Sequence, residues 1–407
     1  MKERLKRNSL FFLNLLILFF LVYGLLQTYG TTYLGGIAVY GGSFVAAYYL
    51  ADRFGFKQTG SRSFVAVPPR LMNPCLNVLI GFILIFQLLH YLCIVNVPLI
   101  KAMLHTDYYY IAQIRQDIKG VGSTLVNYTA SFVIKSIIPV LLFLLFWYDR
   151  RRFWLTFLIS AFYALALMQK AYIVTIVIPL IIGLLMERRW IKAGFFSGIA
   201  LAGVVLLVLV TNPTLRPYPF GCGKCLSAAP VKETSGSASA EVTAALYERV
   251  FITTGEMVGN WFYYVPDSLP FLKDKGYRFA AGLSGGTYRD YSREIYDKIY
   301  RKEAAMGFTG TATTAFFMYD YSSFGNYGLL MAGIYLACFL VLIKRFFGAD
   351  HRTMFALNGL FVIWLSSAAF TTTLLSGGWL LTLLLYLVFK PYYPFYKTGA
   401  PDAETAR

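Results

Sequence analysis

The residues whose types and spacing best suit chemistry lie in LYERVFITTGEMVGNWFYYV, residues 246–265. Read as a helix, this stretch has a polar side and an apolar side. The polar side carries Arg249, Thr253, Glu256 and Asn260, and the apolar side carries Phe251, Val258 and Phe262. An arginine holds an anionic leaving group, while a carboxylate two turns away removes a proton. We predict Arg249 and Glu256 as catalytic residues of glycosyl transfer from lipid pyrophosphate-linked sugars. The alternative is an amphipathic helix whose Arg and Glu merely face water at a membrane surface.

Further cations are needed to bind a departing pyrophosphate. The sequence has no Asp-x-Asp pair, no phosphate loop and no H-E-x-x-H motif. We therefore predict that Arg and Lys bind the pyrophosphate, without a metal or other cofactor. The predicted set is Arg249, Lys170, Arg278, Arg289, Arg293 and Lys135.

Each secondary cation also has a structural interpretation. For Arg278, Arg289 and Arg293, pairing with Asp290, Glu294 or Asp297 on a wet surface is the commoner use. Lys135 lies inside an apolar run, where a charge marks either a cavity or a structural partner such as a helix carbonyl. Lys170 lies at the end of an apolar run, where a lysine also snorkels towards water.

Aromatic and sulfur-containing residues complete the predicted site. Trp261, Tyr263 and Tyr264 would stack on sugar rings, although aromatic belts at a membrane interface are the commoner use. Cys222 and Cys225, in FGCGKC, have the spacing of a small disulfide or of half a metal site. No suitably spaced further ligands are present, which favours the disulfide.

The composition of the chain indicates that helices embedded in a membrane position these residues. Of the 407 residues, 57% are hydrophobic and only 14% are charged, and the mean hydropathy is +0.58. Apolar segments near the length of about 20 residues that a bilayer requires occur ten times. They are 10–26, 33–51, 76–97, 127–147, 153–169, 171–186, 193–210, 324–343, 354–370 and 374–389. The predicted fold class is therefore an all-α polytopic membrane protein.

The distribution of basic residues predicts the topology. With the N-terminus in the cytoplasm, every short basic loop falls on the cytoplasmic side. These loops and the two terminal segments together hold 20 of the 37 Lys and Arg residues. The net charge of +17 is then explained largely by topology, and we expect no nucleic-acid partner. Both termini are predicted to be cytoplasmic. The predicted divisions are 1–210, with seven helices and a smaller outer loop at 98–124, then a large outer loop at 211–323, and 324–407, with three helices and a tail.

The fifth and sixth segments test whether every basic loop lies on the cytoplasmic side. Residues 153–186 are long enough for only two minimal helices, and basic clusters flank both ends. A single crossing would place one cluster on the outer side. We therefore predict a tight hairpin that turns at 168–170.

Four stretches together carry a resemblance to a known family. They are MQKAYIVTIVIPLIIGLLMERR, ERVFITTGEMVGNWFYYV, TATTAFFMYDYSSFGNYGLLMAG and TTTLLSGGWLLTLLLYL. Their order and topology resemble those of the Wzy-type O-antigen polymerases, oligosaccharide repeat unit polymerases of the GT-C-like class of membrane glycosyltransferases. By position, Arg249 looks like the arginine of that family's main outer loop, Glu256 like an acidic residue seven positions on, and Lys170 like the lysine of a Gln-Lys turn.

The resemblance implies an enzyme of the bacterial inner membrane with its site on the periplasmic side. Its donor and acceptor would be undecaprenyl pyrophosphate-linked oligosaccharides, and the growing glycan would move to the non-reducing end of a new unit. Membrane lipids and a polysaccharide chain-length regulator are the expected partners. An O-antigen ligase that passes polymer to the lipid A core is the alternative within enzymes. A transporter or flippase of lipid-linked sugars is the alternative from another class.

Overall fold

The computed structural model describes residues 6–54, 68–94, 98–105, 107, 110–111, 113–114, 123–211, 244, 247–307 and 309–393, apart from the side chains of Pro69, Arg249 and Val250. Within this part of the chain, helix is the only regular secondary structure. The all-α prediction is confirmed to that extent.

Eighteen α-helices are numbered in chain order within the described residues. They are α1 Ser9–Tyr29, α2 Leu34–Phe54, α3 Pro69–Cys93, α4 Pro98–Leu104, α5 Thr124–Phe132, α6 Ile138–Tyr148, α7 Arg150–Ala166, α8 Lys170–Met186, α9 Trp190–Thr211, α10 Thr253–Tyr264, α11 Arg278–Leu283, α12 Tyr291–Ile299, α13 Arg301–Ala305, α14 Phe316–Phe324, α15 Asn326–Phe347, α16 His351–Trp364, α17 Phe370–Leu374 and α18 Trp379–Phe389. Two π-helical turns, Val133–Ile137 and Glu248–Ile252, precede α6 and α10.

Seven helical stretches in the described residues are long and apolar enough to cross a membrane. They are Ser9–Tyr29, Leu34–Phe54, Arg70–Cys93, Thr124–Tyr148, Trp190–Thr211, Asn326–Phe347 and Phe370–Tyr392. These are the features of a multi-pass membrane protein. Helices also occupy the other three predicted positions, but α7 and α8 have 17 residues each and α16 has 14. Ten crossings therefore stay a prediction.

The predicted hairpin coincides with α7 and α8. Asp149 caps the start of α7, where its carboxylate accepts hydrogen bonds from the Arg151 and Arg152 amides at 3.0 and 3.2 Å. Met168 has a positive φ of 52° and lies in the turn. Lys170 is the first residue of α8. The turn thus lies at the predicted position.

The helices form two compact units. The first consists of Met1–Ser61, Ser239–His351 and Phe361–Thr373, and the second of Arg62–Ala238, Arg352–Leu360 and Leu374–Arg407. This division follows packing within each unit. The predicted division at 210/211 and 323/324 follows membrane topology instead and stays a prediction.

The first unit contains three candidate membrane spans, α1, α2 and α15. Gly333 lets α15 approach α2 closely, because a Cβ there would lie 2.7 Å from the Phe44 nitrogen. At one end of these helices, the Lys344 ammonium donates to Asp52 at 2.7 Å and to Asn8 at 2.8 Å. Since Asn8 precedes α1 and Asp52 lies near the end of α2, this polar contact fixes three helix ends together.

The second unit is built around the continuous helix formed by α5, the π turn and α6, the most buried of the candidate spans. A close glycine approach joins α9 to α8, where a Cβ on Gly203 would lie 2.9 Å from Ile173. Polar contacts join α3 to α7, since Gln87 donates to Ser160 at 3.0 Å and His90 hydrogen-bonds Tyr163. Each contact pairs polar side chains inside the unit, while the Gln87 side-chain oxygen and His90 Nε2 have no hydrogen-bond partner among the described residues.

Candidate functional site

Helix α10 and the π turn before it pack along the C-terminal half of α1. Gly24 of α1 faces Gly255 of α10, and a Cβ added to Gly24 would lie 2.6 Å from the Ile252 carbonyl oxygen. A Cβ on Gly255 would overlap the backbone of α1, and one on Gly259 would overlap the Tyr29 ring. Gly255 and Gly259 thus form a small-xxx-small pattern that lets two helix backbones approach closely. The helix that carries Glu256 is fixed directly to the first candidate membrane helix.

The predicted apolar side of this stretch is buried against the first unit. Val258 is fully buried and Phe262 is 7% exposed. Phe262 stacks on Tyr33 with ring centroids 5.3 Å apart, and Phe251 contacts Phe20 at 5.1 Å. The predicted helix is therefore present over 253–264, preceded by the π turn, and its apolar side packs as expected.

The predicted polar side does not remain a single solvent-facing stripe. Thr253 donates to the Glu248 carbonyl at 3.1 Å. Asn260 is 8% exposed, and its side-chain oxygen accepts a hydrogen bond from the Tyr29 hydroxyl at 2.9 Å. The physical reason is that the helix presents its glycines to α1, which turns Asn260 inward. The backbone of Arg249 lies in the π turn, but its side chain lies outside the described residues.

Glu256 is the part-buried carboxylate of this helix. Its side chain has no hydrogen bond or ion pair among the described residues. Burial raises the pKa of the Glu256 carboxyl above its ordinary value, and the nearby Glu248 charge raises this pKa further. An unpaired carboxylate with a raised pKa is suited to accepting a proton from a hydroxyl group.

The three predicted arginines of the following segment are all exposed. Arg289 forms a bidentate pair with Glu294, with distances of 2.7 and 2.9 Å. The Arg278 guanidinium lies over the Tyr288 ring, 5.0 Å from its centroid. Arg293 has no ion pair or hydrogen bond within the described part of the chain. The structure thus favours the structural interpretation for Arg289, whose guanidinium fork is already occupied.

The predicted aromatic residues have different surroundings. Trp261 is fully buried, donates to the Ala312 carbonyl at 3.0 Å, and contacts the Tyr319 ring at 4.9 Å. A sugar cannot reach a ring that the protein core already covers, so Trp261 is a packing residue in this conformation. Tyr263 is 54% exposed. Tyr264 is part-buried, with the Lys298 ammonium 5.6 Å from its ring centroid.

Two predicted cations belong to the second unit. Lys135 is part-buried in the π turn Val133–Ile137. Its neighbour Ser136 donates to the Gly378 carbonyl and lies 3.0 Å from the Thr382 hydroxyl. Lys170 is part-buried at the start of α8. Their predicted role as phosphate contacts stays a prediction. Cys222 and Cys225 lie outside the described residues.

Asp320 is a buried carboxylate that the sequence interpretation did not single out. It lies in α14, is 6% exposed, and accepts hydrogen bonds from the hydroxyls of Tyr277 and Tyr335. Burial raises the pKa of Asp320 to about 6, and the two hydrogen bonds act in the opposite direction. The only sequence signal was a lone carboxylate in the largely uncharged stretch TATTAFFMYDYSSF. Its contacts join the segment before α11 to the first turns of α15.

The described residues bring no three His, Cys, Asp or Glu side chains together as a set able to hold a metal ion. Metal independence stays a prediction.

Comparison with known proteins gives no relative for this chain. No protein-family model matches it, and neither does any curated protein or solved structure.

Proposed function

We propose that this chain is a membrane glycosyltransferase that polymerises lipid pyrophosphate-linked oligosaccharide repeat units, with Glu256 as the base. The observation that carries the proposal is the state of Glu256. The Glu256 side chain is part-buried, it has no hydrogen bond or ion pair within the described residues, and its pKa is raised. A glycine contact fixes its helix to the first candidate membrane helix. A rigid helix beside a membrane span is a suitable position for a base that acts on a substrate held by its lipid carrier.

The chemistry assigned to this site is a displacement at the anomeric carbon. The Glu256 carboxylate accepts the proton of the acceptor hydroxyl, whose oxygen forms the new bond to the anomeric carbon. The bond from that carbon to the pyrophosphate oxygen breaks, and the pyrophosphate leaves with the electron pair. Arg249, Arg278 and Arg293 are the proposed cations for the leaving group, and Tyr263 is the proposed sugar platform.

The charge distribution of the first unit supports a periplasmic site in a bacterial inner membrane. Lys344, Asp52 and Asn8 meet at one end of α1, α2 and α15, where Arg53 and Arg345 also lie. A basic helix end is typical of the cytoplasmic side. Helix α10 instead contacts the opposite half of α1, through Gly24 and Tyr29. Accessibility tags within 253–324 are expected to react from the periplasm, and tags that react only from the cytoplasm would overturn this topology.

The direct test is a chain-elongation assay. The full chain is reconstituted in liposomes with a synthetic undecaprenyl pyrophosphate-linked repeat unit, and products are separated by size. We expect a ladder of products with the native chain and with the exposed-residue control Asp297→Asn, and no ladder from Glu256→Gln within the same reaction time. The same assay with a chelator tests metal independence. Absence of any ladder from the native chain, or a normal ladder from Glu256→Gln, contradicts the proposal.

The same preparation separates the alternatives. A ligase would transfer prepared polymer to added lipid A core, and the repeat unit alone would not grow. A flippase would move labelled repeat units across the membrane without lengthening them. Either result would replace polymerisation as the function of the chain.

A further inference from the structure

Helix α11 exposes two large apolar side chains outside the candidate membrane spans. Phe279 is 80% exposed and Leu283 is 75% exposed. They are four residues apart and so lie on one face of the helix. Ala281 is fully buried on the inward side. Exposed apolar residues on one face of a short helix mark a contact surface.

Basic residues lie in the segment that leads into this helix. The segment 273–288 contains Lys273, Lys275 and Arg278 but only one acidic residue, Asp274. All three basic side chains are exposed. Apolar side chains flanked by Lys and Arg match the chemistry of an anionic lipid surface, where the apolar groups enter the acyl boundary and the cations meet the headgroups.

The position of α11 is set by the residues immediately before the span α15. The Leu272 amide donates to the Ser322 carbonyl at 2.9 Å. Tyr277 donates to Asp320, and its ring stacks on Phe324 with centroids 6.0 Å apart. Gly325, with φ of 59°, then turns the chain into α15 at Asn326. Since the start of a membrane span lies at the membrane interface, α11 is held next to that interface.

We propose that α11 is an interfacial anchor, with Phe279 and Leu283 inserted in the surface of the bilayer that α15 spans and Lys273 and Lys275 contacting anionic headgroups. The proposal is independent of the reaction assigned to Glu256. The anchor would fix the depth of the segment between α10 and α15 relative to the bilayer.

Spin-label depth measurements test this anchor. Gly282 is a suitable label position, because nothing lies within 4 Å of a Cβ added there. The label is attached through Gly282→Cys in the full chain with its five native cysteines replaced by alanine, and Phe279 and Leu283 stay intact. In nanodiscs that contain phosphatidylglycerol, we expect higher accessibility to oxygen than to a water-soluble nickel chelate. A label at Asp297, exposed on α12, is the aqueous control.

Two comparisons sharpen the measurement. The Phe279→Ser/Leu283→Ser double variant is expected to move the Gly282 label into water. Replacing phosphatidylglycerol by phosphatidylcholine is expected to make the label shallower. An aqueous label at 282 in both lipids, equal to the Asp297 control, would overturn the proposal. Dipolar broadening that depends on a second labelled copy would also overturn it, by assigning the face to self-association.

A second variant avoids replacing the cysteines. Phe279→Trp in the otherwise native chain adds one indole, and brominated lipids quench an indole that lies within the bilayer. We expect extra quenching relative to the native chain, and an Asp297→Trp control is expected to show none. Equal quenching of the 279 and 297 variants would contradict insertion.

Discussion

Glu256 and Asp320 are two carboxylates of the same unit, and burial raises the pKa of both. Their partners differ. Asp320 is almost fully buried and accepts hydrogen bonds from Tyr277 and Tyr335, which come from two other parts of the chain. Glu256 is part-buried and has no such bond within the described residues. A raised pKa alone therefore does not identify a catalytic base, because a carboxylate engaged by two phenols has a structural role while an unpaired one is free to take a proton.

The largest expected effect separates the two carboxylates by activity. Glu256→Gln removes the base without changing the shape of the side chain, so elongation is expected to slow by about 10²- to 10⁴-fold. The melting temperature should stay close to that of the native chain, because Glu256 has no hydrogen bond to lose among the described residues. Elongation rate and melting temperature are measured on the same detergent-purified protein. A matched loss of stability would make Glu256 structural, like Asp320.

The second effect is on stability. Asp320→Leu leaves the part-buried hydroxyls of Tyr277 and Tyr335 without their acceptor, at a cost of up to about 1–3 kcal/mol for each hydroxyl. The melting temperature should fall clearly. The triple variant Asp320→Leu/Tyr277→Phe/Tyr335→Phe is expected to recover much of it, because the unpaired hydroxyls are gone. Native-like stability of Asp320→Leu would show that the three groups are not coupled.

A third difference concerns stability and pH. The pKa of Asp320 is about 6 in the folded chain, above the ordinary Asp value of about 4. The folded state therefore binds the Asp320 proton more tightly than the unfolded state, and protonation of Asp320 stabilises the fold. This stabilisation is complete below about pH 4 and is lost as pH rises through about 6.

The melting temperature of Asp320→Asn, which cannot titrate, should lack this part of the pH dependence. The exposed control Asp297→Asn should keep it. Melting curves between pH 4 and 7 check both variants. The same slope in Asp320→Asn and in the native chain would assign that slope to another group.

The smallest expected effect concerns only the pH profile of activity. The Glu248 charge raises the pKa of Glu256, so Glu248→Gln is expected to lower it. The acidic limb of the elongation rate should then move to lower pH, with little change in the maximum rate. Rates measured from pH 4 to 8 test this. An unmoved limb would mean that another group controls it.

Several features of the fold follow from the sequence. Helices occupy all ten predicted apolar segments, and the hairpin turns at Met168. Local hydropathy and chain length predict these features, because a helix in lipid satisfies its own backbone. The helix over 253–264 and its buried Val258 follow from periodicity alone.

Other features of the site do not follow from local pattern. Periodicity placed Asn260 beside Glu256 on a polar side, but the contact of Gly255 with Gly24 turned Asn260 towards Tyr29. Trp261 was expected to face a sugar and instead packs beneath Ala312 and Tyr319. A single Asp in an apolar stretch gave no indication of its two tyrosine partners.

The sequence by itself determined where helices able to span a membrane form and which loops are basic, because hydropathy and charge act over neighbouring residues. Tertiary structure decided which polar groups are buried, paired or free. Those states depend on partners distant in the chain, such as Tyr29 and Asn260, 231 residues apart. Only packing brings such groups together, and it leaves Glu256 unpaired among the described residues while Asp320 is held by two phenols.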